Sequence, residues 1–269
     1  MTTFTTIQFQ DTKLHALFDG IRHGNLWLWR SVQLMLLGAA LMFALQLVDA
    51  RLIAGVGVWD KPTKFFLALA VQFGTISWAL SLLDKADRSS KGVNRAVAVM
   101  LCSGWAEMAY LIFRASRAEA SHFNFSTPVA AIAYGAMGVG SLLLTGTAAY
   151  VGAKMWTNRD GSLWREAAAL GLIVSAVLGT LAGAYMSAQT GHWVGGPHTD
   201  AGGLTFFNWS TRAGDLRPAH FIGLHAAQFI PLAALSGDRR LVWVMAAMLV
   251  GVTAVIFALG VAGIPLLRG

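Results

Sequence analysis

The sequence predicts an all-α, polytopic membrane protein built as a bundle of seven transmembrane helices. Of its 269 residues, 56% are hydrophobic and only 12% are charged, about half the ~25% charged residues of a soluble domain. Five long runs contain no Asp, Glu, Lys or Arg, and each is near or above the ~18–20 residues that cross a hydrocarbon core. These runs are 31–48, 65–83, 128–153, 167–190 and 241–267.

Two further apolar segments complete the count of seven, and ionisable residues interrupt both. Glu107 lies within 96–113, and His220 and His225 lie within 218–235. An ionisable side chain inside a membrane is costly unless it is paired, so it is a functional-site hypothesis by default. The polar residues of these two helices are therefore the first candidates for chemistry.

The basic residues predict the orientation of the bundle. A net charge of +7 would suggest nucleic acid in a soluble chain, but here Lys and Arg sit in short loops, where they set topology. They are more numerous on the side that carries the N-terminus. We therefore expect no nucleic-acid partner, the N-terminus inside and the C-terminus outside, in a multi-pass protein of the bacterial cytoplasmic (inner) membrane.

The chain divides into two parts on this interpretation. Residues 1–26 form a polar cytoplasmic or interfacial segment without a signal-peptide core, and 27–267 form the transmembrane domain. A long outer loop, 188–217, joins the fifth and sixth helices. A loop of this length is more often functional or disordered than a plain connector, and its Trp and Phe content argues against disorder.

Several polar groups fall at one predicted depth near this loop. Counting ~1.5 Å per residue from the outer helix ends, Gln72, Glu107 and His225 each lie about 10–12 Å into the bundle. One explanation is a site that opens to the outer face. The alternative is a Glu107–His225 hydrogen bond that only locks two helices together.

The preferred functional hypothesis is a histidine-lined site for a metal ion or haem. Imidazole is a common ligand of Zn, Cu and Fe, and two histidines on different helices could also be axial to a haem. An enzyme of this kind would be a metal-dependent membrane hydrolase or oxidoreductase. The candidate ligands are His122, His220 and His225; Glu107 and Asp215 are candidate general bases or supporting partners; Arg114 and Arg217 are candidate partners of an anion such as a propionate.

A second hypothesis needs no metal. The basic residues at the outer edge, together with the glycine-rich loop, could hold a small anionic ligand or a lipid head group in a non-enzymatic carrier or receptor. Membrane lipid and a small or lipidic molecule are the partners expected under either hypothesis. Asp60, Lys61 and Lys64, at the start of the second helix, are equally compatible with a site role and with a solvated helix end.

Three segments carry a resemblance: KPTKF at 61–65, SHFNFSTP at 121–128 and DLRPAHFIGLHAAQ at 215–228. Together they resemble a family of bacterial multi-pass membrane proteins without an assigned activity, which implies a shared fold. The histidines are also loosely similar to those of the seven-helix adiponectin-receptor and ceramidase group, in which three histidines hold zinc. This chain has HxxxxH where that group has HxxxH, so no residue roles are transferred.

Overall fold

Seven long helices form the structure, a computed structural model that describes residues 16–158 and 160–268. Within these residues, all seven are long and apolar enough to cross a membrane. The prediction of seven long apolar helices is thus confirmed. They are α1 (Leu26–Gln46), α2 (Asp60–Ser81), α3 (Lys91–Ser116), α4 (Pro128–Thr157), α5 (Leu163–Ser187), α6 (Arg217–Ala233) and α7 (Arg239–Val261).

Local sequence signals explain where the helices begin. Asn25 caps α1, and its side chain accepts hydrogen bonds from Trp27 N and Leu28 N. Thr127 caps α4 by accepting from Ala130 N, with Pro128 at the first helical position. Both arrangements satisfy backbone N–H groups that have no partner within the helix. Threonine followed by proline is a sequence pattern that predicts such a helix start, and α4 begins there.

The small residues of α5 allow α6 to pack tightly against it. A Cβ at Gly171 would lie 3.0 Å from Pro231 Cδ, so a larger residue there would push the two helices apart. The hydroxyl of Ser175 donates to Leu224 O at 2.6 Å. Helix pairs in membranes associate through such close packing and interhelical hydrogen bonds. Small residues recur at every fourth position of α5, at Gly171, Ser175, Gly179 and Gly183; this pattern predicts a closely packed neighbouring helix, and α6 is that neighbour.

Short strands gather at one end of the bundle, which we call the cap end. There β1 (Leu52–Ile53) and β2 (Val56–Gly57) form an antiparallel hairpin between α1 and α2. Its two turn residues, Ala54 and Gly55, both have positive φ, as a tight hairpin turn requires. At the same end β3 (Trp193–Val194) pairs with β4 (Gly214–Asp215).

The opposite end holds the short connections and the described part of the N-terminal segment. Residues 16–24 are helical and pack against the end of α2, where Ser77 Oγ donates to Ile21 O at 2.7 Å. A single helical turn, Lys85–Arg88, joins α2 to α3. The rest of the predicted segment, 1–15, lies outside the described residues. Which end faces the cytoplasm stays a prediction.

Candidate functional site

The long loop between α5 and α6 is folded rather than open. Its two ends form the β3–β4 ladder, in which Trp193 pairs with Asp215, and Leu216 N donates to His192 O at 3.0 Å. Gly195 and Gly202 have positive φ and make tight turns that other residues adopt with strain. We call residues 188–216 the cap, because they close over the end of the bundle.

A charge network holds the cap to the start of α6. The Nη2 atom of Arg217 lies 2.7 Å from Asp215 Oδ2 and 2.9 Å from Asp200 Oδ1, and it also donates to Asn208 O at 2.6 Å. The side chain of Asp215 is 2% exposed and accepts from Ser210 N at 2.9 Å. Both of these predicted site residues, Arg217 and Asp215, thus have partners within the protein and anchor the cap.

His192 belongs to the same network, although the sequence did not single it out as a ligand. Its Nε2 lies 3.1 Å from Asp200 Oδ1, which also accepts from Trp193 Nε1 at 3.2 Å. Burial lowers the pKa of His192 and outweighs the hydrogen bond to Asp200. Burial alone would raise the pKa of Asp200, but His192 and Arg217 together hold it below its usual range.

The cap is also joined to the hairpin and to α2. Asp200 N donates to Ala54 O at 2.8 Å, and Asn208 Nδ2 donates to Asp60 Oδ2 at 2.8 Å. Asp60 in turn pairs with Lys64 at 2.6 Å. Of the residues at the start of α2, Asp60 and Lys64 therefore neutralise each other and help to seat the cap.

Lys61 has a different environment, beneath the cap and facing the neighbouring helices. Its ammonium lies 5.7 Å from the centre of the Phe65 ring and within electrostatic range of Glu107, Asp200 and Arg217. Among the described residues, no carboxylate comes within 4.0 Å of it; the ion pairs of the cap end involve other cations. Lys61 is thus a partly buried cation without a close counter-ion.

Glu107, on α3, carries the charge opposite to that of Lys61. It is 4% exposed, and its Oε1 has no hydrogen-bond partner in the described part of the chain. A Cβ at Gly140 of α4 would lie 2.8 Å from that oxygen, so the glycine gives the carboxylate its space. Glu107 and Lys61 interact electrostatically without forming an ion pair within 4.0 Å. Polar groups left in this state are rare in folded proteins.

His122 lies beside this pair, between α2 and α4. Its ring centre is 5.7 Å from the rings of Phe65 and Tyr134, and its Nδ1 is 3.1 Å from Ser121 Oγ. Burial, with the charges of Lys61 and His192, holds the pKa of His122 well below its usual range. The imidazole is therefore neutral at pH 7 and can donate one hydrogen bond and accept another through its two ring nitrogens.

The other two predicted ligands lie on α6 with backbone partners of their own. Nδ1 of His220 donates to Gly179 O at 2.9 Å, and its ring fits against Gly183 of α5. Nδ1 of His225 donates to Phe221 O at 2.9 Å, and the two rings stack at 3.9 Å. The alternative Glu107–His225 hydrogen bond is not present: the hydrogen bond of His225 is to Phe221 O within its own helix, and Glu107 Oε1 has no partner in the described part of the chain.

The structure does not gather the predicted metal ligands. Across 16–158 and 160–268, no group of three or more His, Cys, Asp or Glu is placed to hold a metal ion. Metal or haem binding therefore stays a prediction, and no gathered set of ligands in the described residues supports it. Arg114, a predicted anion partner, pairs with Glu119 at 2.7 Å, so it too has a carboxylate of the protein nearby.

The residues that the structure adds to the site are Lys61, His192 and Asp200. In the sequence, Lys61 was indistinguishable from a solvated helix end, and the partners of His192 and Asp200 depend on how the cap folds. The comparison with known protein families, curated proteins and solved structures gave no match. The functional argument therefore rests on the geometry of this site.

Proposed function

We propose that this integral membrane protein binds a small anionic solute beneath the cap, as a non-enzymatic carrier or receptor. The observation that carries the proposal is the unpaired state of Lys61 and Glu107, two opposite charges at the meeting point of α2, α3 and α4. Lys61 would hold the anionic group of the solute, and Glu107 would accept a hydrogen bond from a donor on it. We place the protein in a bacterial cytoplasmic membrane.

The energetic argument concerns the cost of leaving these groups without partners. A charge within a membrane costs at least ~2.5 kcal/mol unless it is paired, and a buried polar atom without a hydrogen bond costs about 1–3 kcal/mol. A solute that carries both an anion and a donor offsets both costs on binding. The neutral imidazole of His122 offers a third polar contact at the same place.

This arrangement favours binding over chemical turnover. Asp215, the candidate base near the cap, has its oxygens engaged by Ser210 N and by Arg217. The apolar neighbours of Lys61 and His122, such as Phe65, would keep water from the charged pair. A few convergent polar groups within an apolar lining are typical of small-molecule sites.

The second candidate function is the metal or haem site, and one observation favours it. Because Nδ1 of both His220 and His225 donates to a backbone carbonyl, Nε2 of each ring carries the lone pair, and it has no hydrogen-bond partner among the described residues. Metal-binding histidines are oriented by such hydrogen bonds. Elemental analysis of protein purified without a histidine tag tests this candidate directly: about one equivalent of iron, zinc or copper per chain would support it.

The solute proposal is tested by thermal unfolding in detergent with a panel of lactate, glutamate, phosphate and sulfate. At least one anion should raise the unfolding midpoint of the wild type. The increase should be lost in Lys61→Gln, reduced in Glu107→Gln and retained in Lys85→Gln, which changes an exposed lysine at the opposite end. An increase that survives in Lys61→Gln, or no increase with any anion, would overturn the proposal.

A further inference from the structure

We propose that a second site, independent of the one beneath the cap, binds the head group of an anionic phospholipid. It is an open groove of about 820 Å³ at the cap end, between the end of α3 and the start of α4. We call it the head-group groove. Its size falls within the ~300–1,000 Å³ of small-molecule sites. The lining residues used below are Phe113, Arg114, Arg117, Glu119, Phe125 and Thr127.

The first argument is charge. Two guanidinium groups share a single carboxylate: Arg114 Nη1 lies 2.7 Å from Glu119 Oε2, and Arg117 Nε lies 3.2 Å from Glu119 Oε1. The groove therefore carries one uncompensated positive charge. The side chain of Arg117 is 57% exposed, and its two Nη groups have no hydrogen-bond partner in the described part of the chain. They can bind phosphate oxygens, which guanidinium groups match well in geometry.

The second argument is the helix that begins in the groove. Thr127 is the N-cap of α4, a helix of 30 residues with Pro128 at its first position. The N-terminus of such a helix carries a partial positive charge and favours anions. It adds to the charge of Arg114 and Arg117 at the same place, so side-chain charge and the helix N-terminus both favour an anion here.

The third argument is the apolar surface next to these charges. Phe113 and Phe125 in the groove are 55% and 59% exposed, and Val129 and Ile132 on the adjoining face of α4 are 76% and 74% exposed. On a membrane-spanning helix such a face contacts acyl chains. A free phosphate ion would use only the arginines, whereas a phospholipid uses both the charges and this apolar face. The geometry therefore points to a lipid.

The backbone of the connecting loop is consistent with a binding role. Ala118 and Phe123 both adopt positive φ, 54° and 53°, a conformation that costs non-glycine residues free energy. Such conformations cluster at ligand sites, where the surrounding structure maintains them. Here they bring Arg117 and Phe125 to the same groove from opposite ends of the loop.

The test compares lipids and variants in one measurement. Detergent-purified protein is titrated with phosphatidylglycerol, phosphatidylcholine or inorganic phosphate, and the midpoint of thermal unfolding is followed together with lipid adducts in native mass spectrometry. The variants are Arg117→Gln, the charge-retaining Arg117→Lys, and Arg268→Gln as a matched control. Arg268 is an exposed arginine beyond the end of α7, outside the groove.

We expect phosphatidylglycerol to stabilise the wild type and to remain bound in the gas phase, with no comparable effect of phosphatidylcholine. Any stabilisation by phosphate should depend on Lys61 and not on Arg117. Arg117→Gln should weaken the apparent affinity for phosphatidylglycerol about fivefold, which is the contribution of one basic residue at a membrane surface. Arg117→Lys and Arg268→Gln should keep most of that affinity. Equal effects of the two lipids, or undiminished phosphatidylglycerol binding in Arg117→Gln, would overturn the proposal. Stabilisation by phosphate but not by phosphatidylglycerol, lost in Arg117→Gln, would identify a free-anion site in the groove instead.

Because the groove and the Lys61–Glu107 pair have no residue in common, the two proposals fail separately. We expect Arg117→Gln to reduce stabilisation by phosphatidylglycerol and to keep stabilisation by small anions. We expect Lys61→Gln to keep stabilisation by phosphatidylglycerol. A variant that abolishes both responses would show a general loss of folding, which the unfolding curve reports directly.

Discussion

Arg217 and Asp200, separated by most of the cap in sequence, meet at 2.9 Å between Nη2 and Oδ1. The same guanidinium group also holds Asp215 at 2.7 Å. One arginine at the first position of α6 thus neutralises two carboxylates of the cap and connects the cap to the bundle. The stability of the cap should therefore depend on this residue more than on other surface arginines.

We expect Arg217→Gln to lower the free energy of unfolding by about 3 kcal/mol, because it leaves Asp215 buried without its cation. Arg51→Gln is the matched control: Arg51 is 48% exposed, forms an ion pair with Asp49 and donates to Ser116 O, so the loss of this exposed ion pair should cost less than about 1 kcal/mol. Thermal unfolding in detergent compares the two. Equal losses would show that the Arg217 network does not hold the cap.

The buried histidines predict how stability depends on pH. The pKa values of His122 and His192 are lowered in the folded protein, mainly by burial. A histidine whose folded pKa lies below its unfolded value of about 6.5 takes up its proton preferentially in the unfolded state. Stability should therefore fall as the pH falls from about 6.5, by up to about 1.4 kcal/mol per pH unit for each group.

The pH prediction is checked by the unfolding midpoint between pH 8 and pH 5. In His122→Gln the slope below pH 6.5 should become smaller, because one of the two groups no longer titrates. His23→Gln changes an exposed histidine at the opposite end and should leave the slope unchanged. The same slope in all three proteins would mean that His122 does not contribute to it.

Close packing of α5 against α6 predicts opposite effects for two glycines. At Gly223 a Cβ would lie 2.9 Å from Leu178 Cβ and 3.3 Å from the Leu178 carbonyl carbon, whereas at Gly251 nothing lies within 4 Å. Gly223→Ala should destabilise the protein by about 1–3 kcal/mol, as overpacking does. Gly251→Ala, also within a helix, should be neutral or slightly stabilising. Unfolding midpoints that shift equally would refute the tight α5–α6 contact.

The Lys61–Glu107 pair predicts a coupling between two substitutions. Lys61→Met removes the cation and leaves the Glu107 carboxylate within the bundle, which should destabilise the protein by about 2 kcal/mol. Adding Glu107→Gln should recover part of that loss, because the group left behind is neutral. A double-mutant cycle measures the coupling. Strictly additive losses would show that the two charges do not interact.

Helix count and helix ends follow from the sequence because they depend on local properties. An uncharged run of the right length can cross a membrane whatever helices lie next to it. The start of α4 is likewise set locally, by the side chain of Thr127 and the ring of Pro128. The small residues of α5, such as Gly171, likewise predict a close neighbour without saying which helix it is. Glu107 interrupts the apolar run of α3, which is why the sequence predicts a site residue there; that role stays a prediction.

The composition of the site was decided by tertiary structure alone. His220 and His225 are five residues apart on α6, yet Nδ1 of each donates to a backbone carbonyl. Neither of them lies with His122 in one group of possible metal ligands. Lys61, which the sequence left as a solvated helix end or a site residue, lies near Glu107 because α2, α3 and α4 meet beneath the cap. Hydrophobic periodicity determines which segments cross the membrane. Which polar side chains meet between these segments depends on how each helix is rotated and how the loops fold. Rotation and loop folding are set by contacts between residues that are distant in sequence.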